Sequence, residues 1–267
     1  MQTIGITRLA LVASTILGAS FAATLAAPAG TLAVLSGDHT LTMVDTATQK
    51  AGKSIEVTGI GGKIAGIDVR PADGLLYALG GDGTIYTVDL ASGKATIKSK
   101  MDTVLAAGTM ATVDFNPAAD RLRVIGADGT NLRVNVDDGK TMVDGKLKFA
   151  ETDMHKGEVP MVVAGAYSNS VKGTKETALY DIDGKIGGLL KQAPPNDGVL
   201  GAIGKLGVTP KAVAFDIETG SDGSNTGWLL ADGALHKVDL ASGKATMIGK
   251  VNGLKSPARD AAALPAM

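Results

Sequence analysis

The sequence contains no cysteine. Disulfides, thiolate metal sites and a cysteine nucleophile are therefore excluded. Aromatic residues make up only 3% of the chain and fall mostly on predicted strands, which argues against a carbohydrate-binding surface built from exposed stacking rings. The formal net charge is −1, and no dense block of lysine or arginine is present. Nucleic-acid binding is not expected, because it requires a basic face that displaces counterions from phosphates.

Motifs of catalysis are missing as well. The sequence has no G-x-S-x-G elbow, Walker loop or Rossmann glycine pattern. The three histidines, His39, His155 and His236, form no H-x-x-x-H pair, so a zinc site is not expected. DIDG at 181–184 lacks the further oxygen ligands of a calcium loop and indicates a strand that ends in a turn. These absences favour a binding or scaffold protein over an enzyme.

The N-terminus has the pattern of a secretory signal peptide. A segment carrying the single charge of Arg8 precedes an apolar stretch at 9–19, and small residues follow at the positions that a signal peptidase reads. The sequence predicts removal of residues 1–26 and a single domain at 27–267, located in the bacterial periplasm or outside the cell. No later segment matches a membrane span, which needs about 20 apolar residues.

One nonapeptide occurs twice in the chain. VDLASGKAT stands at 88–96 and again, letter for letter, at 238–246. Each copy follows an Asp-Gly pair, at 82–83 or 232–233, of the kind that forms a two-residue hairpin turn. The segments around these turns are rich in β-branched and aromatic residues, which is typical of strands. Both copies therefore predict antiparallel strands joined by tight turns.

A short strand with a polar residue near its centre precedes each hairpin unit. These residues are 46, 53, 49 and 44 positions apart and are Asp68, Asp114, Tyr167, Asp216 and Asp260. A period in the high forties is typical of a four-stranded β-propeller blade. The strand around Asp260 has no strands after it, while strands predicted at 31–36, 40–45 and 54–58 have no first strand before them. Pairing the two ends predicts an all-β propeller of five four-stranded blades, whose closed ring removes free sheet edges.

Several segments of the sequence resemble one bacterial family. They are GIDVRP at 66–71, LYALG at 76–80, VDFNP at 113–117, DRLRV at 120–124, NLR at 131–133, YDID at 180–183 and PPNDG at 194–198. Together they resemble the family called domain of unknown function 4394, and the resemblance covers nearly all of the predicted mature chain. It implies an exported, propeller-like protein. It implies no activity, so no functional residue follows from it.

The repeat predicts a ring of acidic residues. Because the first strands of the blades line the channel, one ring should hold Asp68, Asp114, Tyr167, Asp216 and Asp260. At about 8 Å and an effective dielectric constant of about 20, two ionised carboxylates repel by roughly 2 kcal/mol. Arginines, backbone N–H groups or a bound cation would offset this repulsion. Calcium is the cation that suits oxygen-only ligands.

The arginines of the predicted mature chain lie in or beside these strands. They are Arg70, Arg121, Arg123, Arg133 and Arg259. Because arginine suits buried carboxylates, the sequence favours structural ties from the ring to these arginines or to backbone groups. Arg121 and Arg123 share a strand face, and Arg133 on the next predicted strand is expected to face them. The alternative is that these three bind a small anion.

Three functions stay open at this point. The favoured one is a non-enzymatic binding or scaffold protein without a cofactor, with a small-molecule or protein partner at a face of the propeller. The second is a metal-dependent hydrolase of the lactonase type, by analogy with other propellers. Its metal ligands would be Asp68, Asp114, Asn116, Asp216 and Asp260. The third is capture of a small anion by the arginine cluster.

Overall fold

A computed structural model describes Met1 and residues 30–265 of the chain. Apart from Met1, the predicted signal peptide at 1–26 lies outside the described residues. Five sheets form five blades, and the first strand of each blade lies beside the first strands of its two neighbours. The prediction of an all-β propeller with five blades is confirmed.

The strands of each blade follow one another along the chain. The described chain begins with the three outer strands of blade 5, which are β1 (Thr31–Ser36), β2 (Thr40–Asp45) and β3 (Lys50–Glu56). Blade 1 consists of β4 (Ile64–Val69), β5 (Leu76–Gly80), β6 (Thr84–Val88) and β7 (Ala95–Lys100). Blade 2 consists of β8 (Ala111–Asn116), β9 (Arg121–Gly126), β10 (Asn131–Val134) and β11 (Thr141–Val143).

Blades 3 and 4 and the closing strand complete the ring. Blade 3 consists of β12 (Lys148–Phe149), β13 (Val162–Tyr167), β14 (Leu179–Asp183), β15 (Gly188–Gln192) and β16 (Val199–Lys205). Blade 4 consists of β17 (Val213–Thr219), β18 (Asn225–Ala231), β19 (Ala234–Val238) and β20 (Ala245–Lys250). The last strand, β21 (Ala258–Leu264), pairs antiparallel with β1 and supplies the inner strand of blade 5, as predicted.

Blade 3 departs from the four-stranded pattern. The short strand β12 pairs in parallel with β16 and forms a fifth, outermost strand of that sheet. β12 lies in the connection from blade 2 to β13. This connection falls within the longest interval of the repeat, the 53 positions from Asp114 to Tyr167. The extra chain therefore covers an edge that would otherwise expose unpaired backbone groups.

The core lies between blades rather than inside any one of them. Buried apolar side chains form five clusters, and each cluster combines residues of two adjacent blades. Inner strands are buried along most of their length, as in β8, while the outer strand β7 is largely exposed. Each inner strand thus packs against a neighbour on both faces, which holds the strand ends at the channel in fixed positions.

The repeated turns explain the glycines of the nonapeptide. Gly93 and Gly243 have φ of 75° and 77°, a left-handed conformation that glycine adopts without a steric penalty. At 232–233 both turn residues have positive φ, as the predicted two-residue hairpin requires. The other copy has a three-residue loop, in which the Asp82 carboxylate accepts the Thr84 N–H at 3.0 Å. The prediction of a two-residue turn is therefore wrong at Asp82.

Candidate functional site

The four predicted ring aspartates perform one repeated structural task. Each carboxylate accepts a hydrogen bond from a backbone N–H on the inner strand of the next blade. The bonds join Asp260 to Ile67 (2.8 Å), Asp68 to Phe115 (2.6 Å), Asp114 to Tyr167 (2.9 Å) and Asp216 to Ala263 (2.5 Å). Four of the five blade junctions are tied in this way near the channel.

A free strand edge at the channel explains why these bonds exist. An inner strand has a partner strand on one side only, so its other edge would leave N–H groups unpaired away from bulk water. Three of the aspartates also accept the N–H of their own next residue. These bonds join Asp68 to Val69 (2.7 Å), Asp216 to Ile217 (2.6 Å) and Asp260 to Ala261 (3.0 Å). Backbone groups, one of the three predicted offsets, therefore satisfy the ring.

The carboxylates also come close to one another. Oxygen atoms of Asp68, Asp114 and Asp216 lie within 4.8 Å of one another. Burial, followed by the charges of neighbouring aspartates, raises the pKa of Asp68 and of Asp114 well above the usual range. Burial raises the pKa of Asp260 to about 8, although its N–H bonds oppose the change. Raised pKa values favour the protonated carboxyl, and protonation lowers the repulsion within the ring.

Asp216 ionises more readily than Asp260. Burial raises its pKa to about 6, and hydrogen bonds from Ala263, from Ile217 and from the Asp114 carboxyl oppose that rise. The Asp114 and Asp216 carboxyls are thus close enough to interact directly, which is the arrangement that an acid–base dyad would need.

The prediction that arginines offset the ring is wrong. Among the described residues, no arginine forms an ion pair with a ring carboxylate. Arg70 leaves blade 1 and makes a bidentate contact with Asp120 of blade 2, at 2.8 and 2.6 Å. It also contacts Asp137 at 3.0 Å and the Tyr77 hydroxyl at 3.3 Å. Arg70 therefore bridges two blades at their ends, away from the four carboxylates.

Arg123 and Arg133 are cross-strand neighbours, as predicted, and both bind one carboxylate. Asp144 accepts bonds from Arg123 Nη1 at 2.6 Å and from Arg133 Nη2 at 3.0 Å. Only 6% of the Asp144 side chain is exposed. Arg121 lies on the same face but donates only to the carbonyls of Ala119 and Asp120. The expected anion pocket is therefore occupied by a carboxylate of the chain itself.

Two other predicted site residues lie outside the ring. The Tyr167 side chain packs in the cluster between blades 2 and 3, and its hydroxyl accepts a bond from Arg123 at 3.2 Å. Asn116 caps the turn after β8, since its Oδ1 accepts the N–H groups of Ala118 and Ala119. The expectation that Tyr167 completes the ring is wrong for its side chain, because an aromatic ring at this junction fills the apolar layer. Asn116 is likewise no metal ligand in this geometry.

The junction between blades 3 and 4 lacks a ring aspartate and has a different tie. Asn169 and Asn225 exchange hydrogen bonds of 2.8 and 2.7 Å across it. Thr219 accepts the Ser170 N–H at 2.9 Å beside them. An amide pair thus replaces the carboxylate at the one junction where the repeat has tyrosine instead of aspartate.

Asp181 is a functional-site candidate that the sequence indicated only as part of a strand ending in a turn. It lies on β14 opposite Gly165, it is fully buried, and neither carboxyl oxygen has a hydrogen-bond partner among the described residues. A Cβ at Gly165 would collide with Asp181 Oδ1, so this glycine makes room for the carboxyl. Burial raises the pKa of Asp181 to about 8, and the charge of Arg123 opposes the rise. The signal in the sequence was an acid at a strand-centre position, where an apolar residue is the rule.

Cavities lie at both ends of the inner strands. One, of about 490 Å³, is lined by a residue from the start of each inner strand: Ala65, Ala111, Val163, Val213 and Ala258. We call it the channel-mouth cavity. A cavity of about 350 Å³ lies at the opposite end and is lined by polar residues that include Asp68 and Asp216. All five blades therefore contribute to the channel-mouth cavity, while the cavity at the opposite end reaches the ring.

A sequence profile described as "Domain of unknown function (DUF4394)" matches residues 40–262. The chain belongs to this family. The resemblance noted from the sequence is thereby confirmed, and the described blades are those of a family member. A search of curated proteins gave no match.

Solved structures share the fold of this family member at low sequence identity. A protein of unknown function from Bacteroides thetaiotaomicron has a TM-score of 0.53 at 16% identity, over 87% of this chain and 61% of that one. Another of unknown function, from Bacteroides caccae, has a TM-score of 0.46 at 11% identity, over 89% and 100%. Virginiamycin B lyase from Staphylococcus aureus has 0.45 at 13%, over 82% and 70%. The likeness concerns the fold alone.

Proposed function

We propose that the protein is a non-enzymatic, exported binding protein whose ligand enters the channel-mouth cavity. The carrying observation is that the inner strands of all five blades line this cavity, so its shape depends on the closed ring. Its volume of about 490 Å³ lies within the range of small-molecule sites, roughly 300–1,000 Å³. The apolar stretch at 9–19 supports export. Among the described residues, no helix is long and apolar enough to cross a membrane.

The ring of aspartates supports a structural role below this cavity. Each of its four carboxylates already accepts a backbone N–H group of the next blade, so the ring ties blades together. Among the described residues that line the channel-mouth cavity, the one acid is Asp183, and its carboxylate already accepts three backbone N–H groups. Binding without chemistry is therefore the function that this geometry supports best.

A neutral fluorescent probe tests the binding function. We expect N-phenyl-1-naphthylamine to bind the folded protein with one site, because the cavity wall is mainly apolar. The variant Ala111→Trp should lose this binding, since Ala111 is half-buried at the cavity wall and indole would fill it. Ala119→Trp, at the exposed far end of the same strand pair, is the matched control. Equal probe fluorescence in all three proteins would refute the cavity as the binding site.

A metal-dependent hydrolase is the second candidate, and the close approach of three carboxylates favours it. Asp68, Asp114 and Asp216 offer oxygen atoms within 4.8 Å of one another, and two of these residues line the cavity at the far end. Calcium suits such ligands. Bound there, a divalent cation would act as a Lewis acid and lower the pKa of a water molecule.

Chelation separates the two candidates. We expect the melting temperature at pH 7.5 to be the same with and without EDTA, because backbone N–H groups and protons already satisfy the ring. The test pairs this melt with elemental analysis of protein purified without chelator. A ligand present at 100 times its dissociation constant stabilises by about 2.7 kcal/mol, which a melt detects. Stoichiometric metal, together with a lower melting temperature in EDTA, would replace the binding function with the hydrolase.

A further inference from the structure

Arg259 differs from Arg70 and Arg123, the two buried arginines of the described chain. Its Nη1 donates to the Gly37 carbonyl at 2.6 Å and its Nη2 to the Ile64 carbonyl at 3.0 Å. Among the described residues it has no carboxylate partner within ion-pair distance, whereas Arg70 and Arg123 each bind at least one aspartate. A guanidinium has five N–H donors, so three remain without an acceptor in the part of the chain that the structure describes.

Arg259 is accessible from two cavities. Arg259 lines the channel-mouth cavity and also a neighbouring cavity of about 380 Å³. These two cavities share Ala65, Met110 and Ala111. Arg259 is half-buried, and burial lowers its pKa because the guanidinium is withdrawn from water. A charged group in such a place is stabilised by an anionic partner that restores its hydrogen bonds.

The remaining charges of the channel-mouth cavity reinforce this preference. Lys211 is the other cation on its wall, and its side chain is outside every ion pair of the described residues. Asp183 is the acid, but its carboxylate accepts the N–H groups of Met161, Lys185 and Ile186. The cavity therefore presents two cations to a ligand, and its one anion is already satisfied.

The rest of the wall is apolar and adaptable. Met110 and Met161 are exposed at the cavity, although large apolar side chains are usually buried. Methionine is flexible and polarisable, so it fits apolar groups of different shapes. Val163, Leu206 and Pro257 line the same wall. The cavity therefore offers an apolar wall beside two cationic side chains.

We propose that the channel-mouth cavity binds a small carboxylic acid with an apolar body, such as a medium-chain fatty acid. The carboxylate pairs with Arg259 and Lys211, and the hydrocarbon lies against Met110 and Met161. The neighbouring cavity, which shares Arg259 and Met110 with the first, gives room for chains of different lengths. This inference rests on the proposed binding function and specifies its ligand.

Displacement of the neutral probe by octanoate and by 1-octanol tests the inference. The two competitors share a chain and differ in the charge of the head group. We expect octanoate to displace N-phenyl-1-naphthylamine at a concentration lower by roughly tenfold or more, because charge-assisted hydrogen bonds add to the apolar contact. Arg259→Gln should abolish this difference. Arg121→Gln, which removes a half-buried arginine with carbonyl bonds only, should preserve it.

The outcomes are distinguishable. If the probe does not bind at all, the proposed function fails together with the inference. If the probe binds and 1-octanol competes as well as octanoate, the inference alone fails. Should Arg259→Gln not fold, Lys211→Glu gives the same comparison, because Lys211 is exposed and only its backbone N–H contacts Asp232. Octanoate should then lose affinity several-fold relative to 1-octanol, and an unchanged ratio would overturn the proposal.

Discussion

Asp181→Asn should stabilise the protein at pH 8 and flatten the dependence of its stability on pH. In the native protein Asp181 is fully buried, its carboxyl oxygens have no hydrogen-bond partner, and its pKa is raised to about 8. In the unfolded chain the same carboxyl has its ordinary pKa of 3.8. Between these values the native state binds a proton that the unfolded state does not.

The sign of the effect follows from this difference. The contribution of Asp181 to the free energy of unfolding is highest below about pH 4. It falls as the pH rises toward 8, because ionisation of this carboxyl stabilises the unfolded state. The slope is about 1.4 kcal/mol per pH unit, so the whole window amounts to roughly 6 kcal/mol. The amide of the Asp181→Asn variant does not titrate, so the variant lacks this loss. Part of the gain is offset, because a buried amide also lacks partners.

Asp183→Asn is the matched control on the same strand. Asp183 is as buried as Asp181, but its carboxylate accepts three backbone N–H groups. In Asp183→Asn the side-chain NH₂ group faces at least one of these N–H groups, and two donors cannot bond to each other. The free energy of unfolding should therefore fall by about 1–3 kcal/mol. Urea unfolding at pH 5, 7 and 8 measures all three proteins. If Asp181→Asn is destabilised at pH 8, or keeps the wild-type slope, the buried carboxyl does not hold a proton.

The ring also contributes to the change of wild-type stability with pH, and Asp260 acts in the same direction as Asp181. Its pKa of about 8 lies above its unfolded value, so its share of the stability is also lost between about pH 4 and pH 8. The Asp181→Asn variant should therefore retain a negative slope smaller than that of the wild type. This remaining slope is the part that belongs to the channel.

The sequence predicted the ring of aspartates and named backbone N–H groups and arginines as its partners, but it did not show which of the two satisfies the ring, and the reason is physical. Recurrence of an acid every 44 to 53 residues, with one tyrosine, revealed four equivalent positions. Side-chain periodicity does not show that the inner edge of each blade leaves N–H groups unpaired, and these groups take the carboxylates. The arginines fell near the ring in sequence, yet Arg70 extends across a blade junction to Asp120, and Arg123 pairs with Asp144 of its own blade. Those acids, Asp120 and Asp144, lie in turns and strand ends that carry no repeat signal.

The proposed ligand site could not be predicted from the sequence for a similar reason. Ala65, Ala111 and Val163 are ordinary strand residues, and nothing in their spacing marks a cavity. They meet only because ring closure brings the starts of the inner strands to one mouth. By contrast, the pairing of β21 with β1 was predictable, since an unpaired first strand at one end and three strands at the other leave only that solution.

Arg123→Met should destabilise the protein by about 3–5 kcal/mol, the usual loss when one partner of a buried ion pair is removed. Arg123 is 2% exposed and donates to Asp144, Asn131 and Asn196 at 2.6, 2.9 and 2.8 Å. It also donates to the Tyr167 hydroxyl. These acceptors belong to blades 2 and 3, so the variant loses the polar tie of that junction and leaves Asp144 with Arg133 alone.

Arg121→Met is the control for this loss. Arg121 precedes Arg123 by two residues on the same face but is half-buried and bonds only to carbonyls, so its replacement should change the free energy of unfolding by about 0.5 kcal/mol or less. Arg123→Lys should resemble Arg123→Met, because one ammonium group cannot reach acceptors that surround a planar guanidinium. Equal stability of the wild type and Arg123→Met in urea would show that the junction depends on its apolar cluster instead.

The two large effects are coupled through the same junction, and a double-mutant cycle measures the coupling. The charge of Arg123 opposes the rise in the pKa of Asp181, so its removal makes ionisation of Asp181 more costly. The loss in Arg123→Met should therefore be greater at pH 8 than at pH 5. Combining it with Asp181→Asn should reduce that difference, because neighbouring residues are not additive. A loss that is the same at both pH values and in both backgrounds would mean that Arg123 acts on Asp144 and the blade contacts, and not on the buried carboxyl.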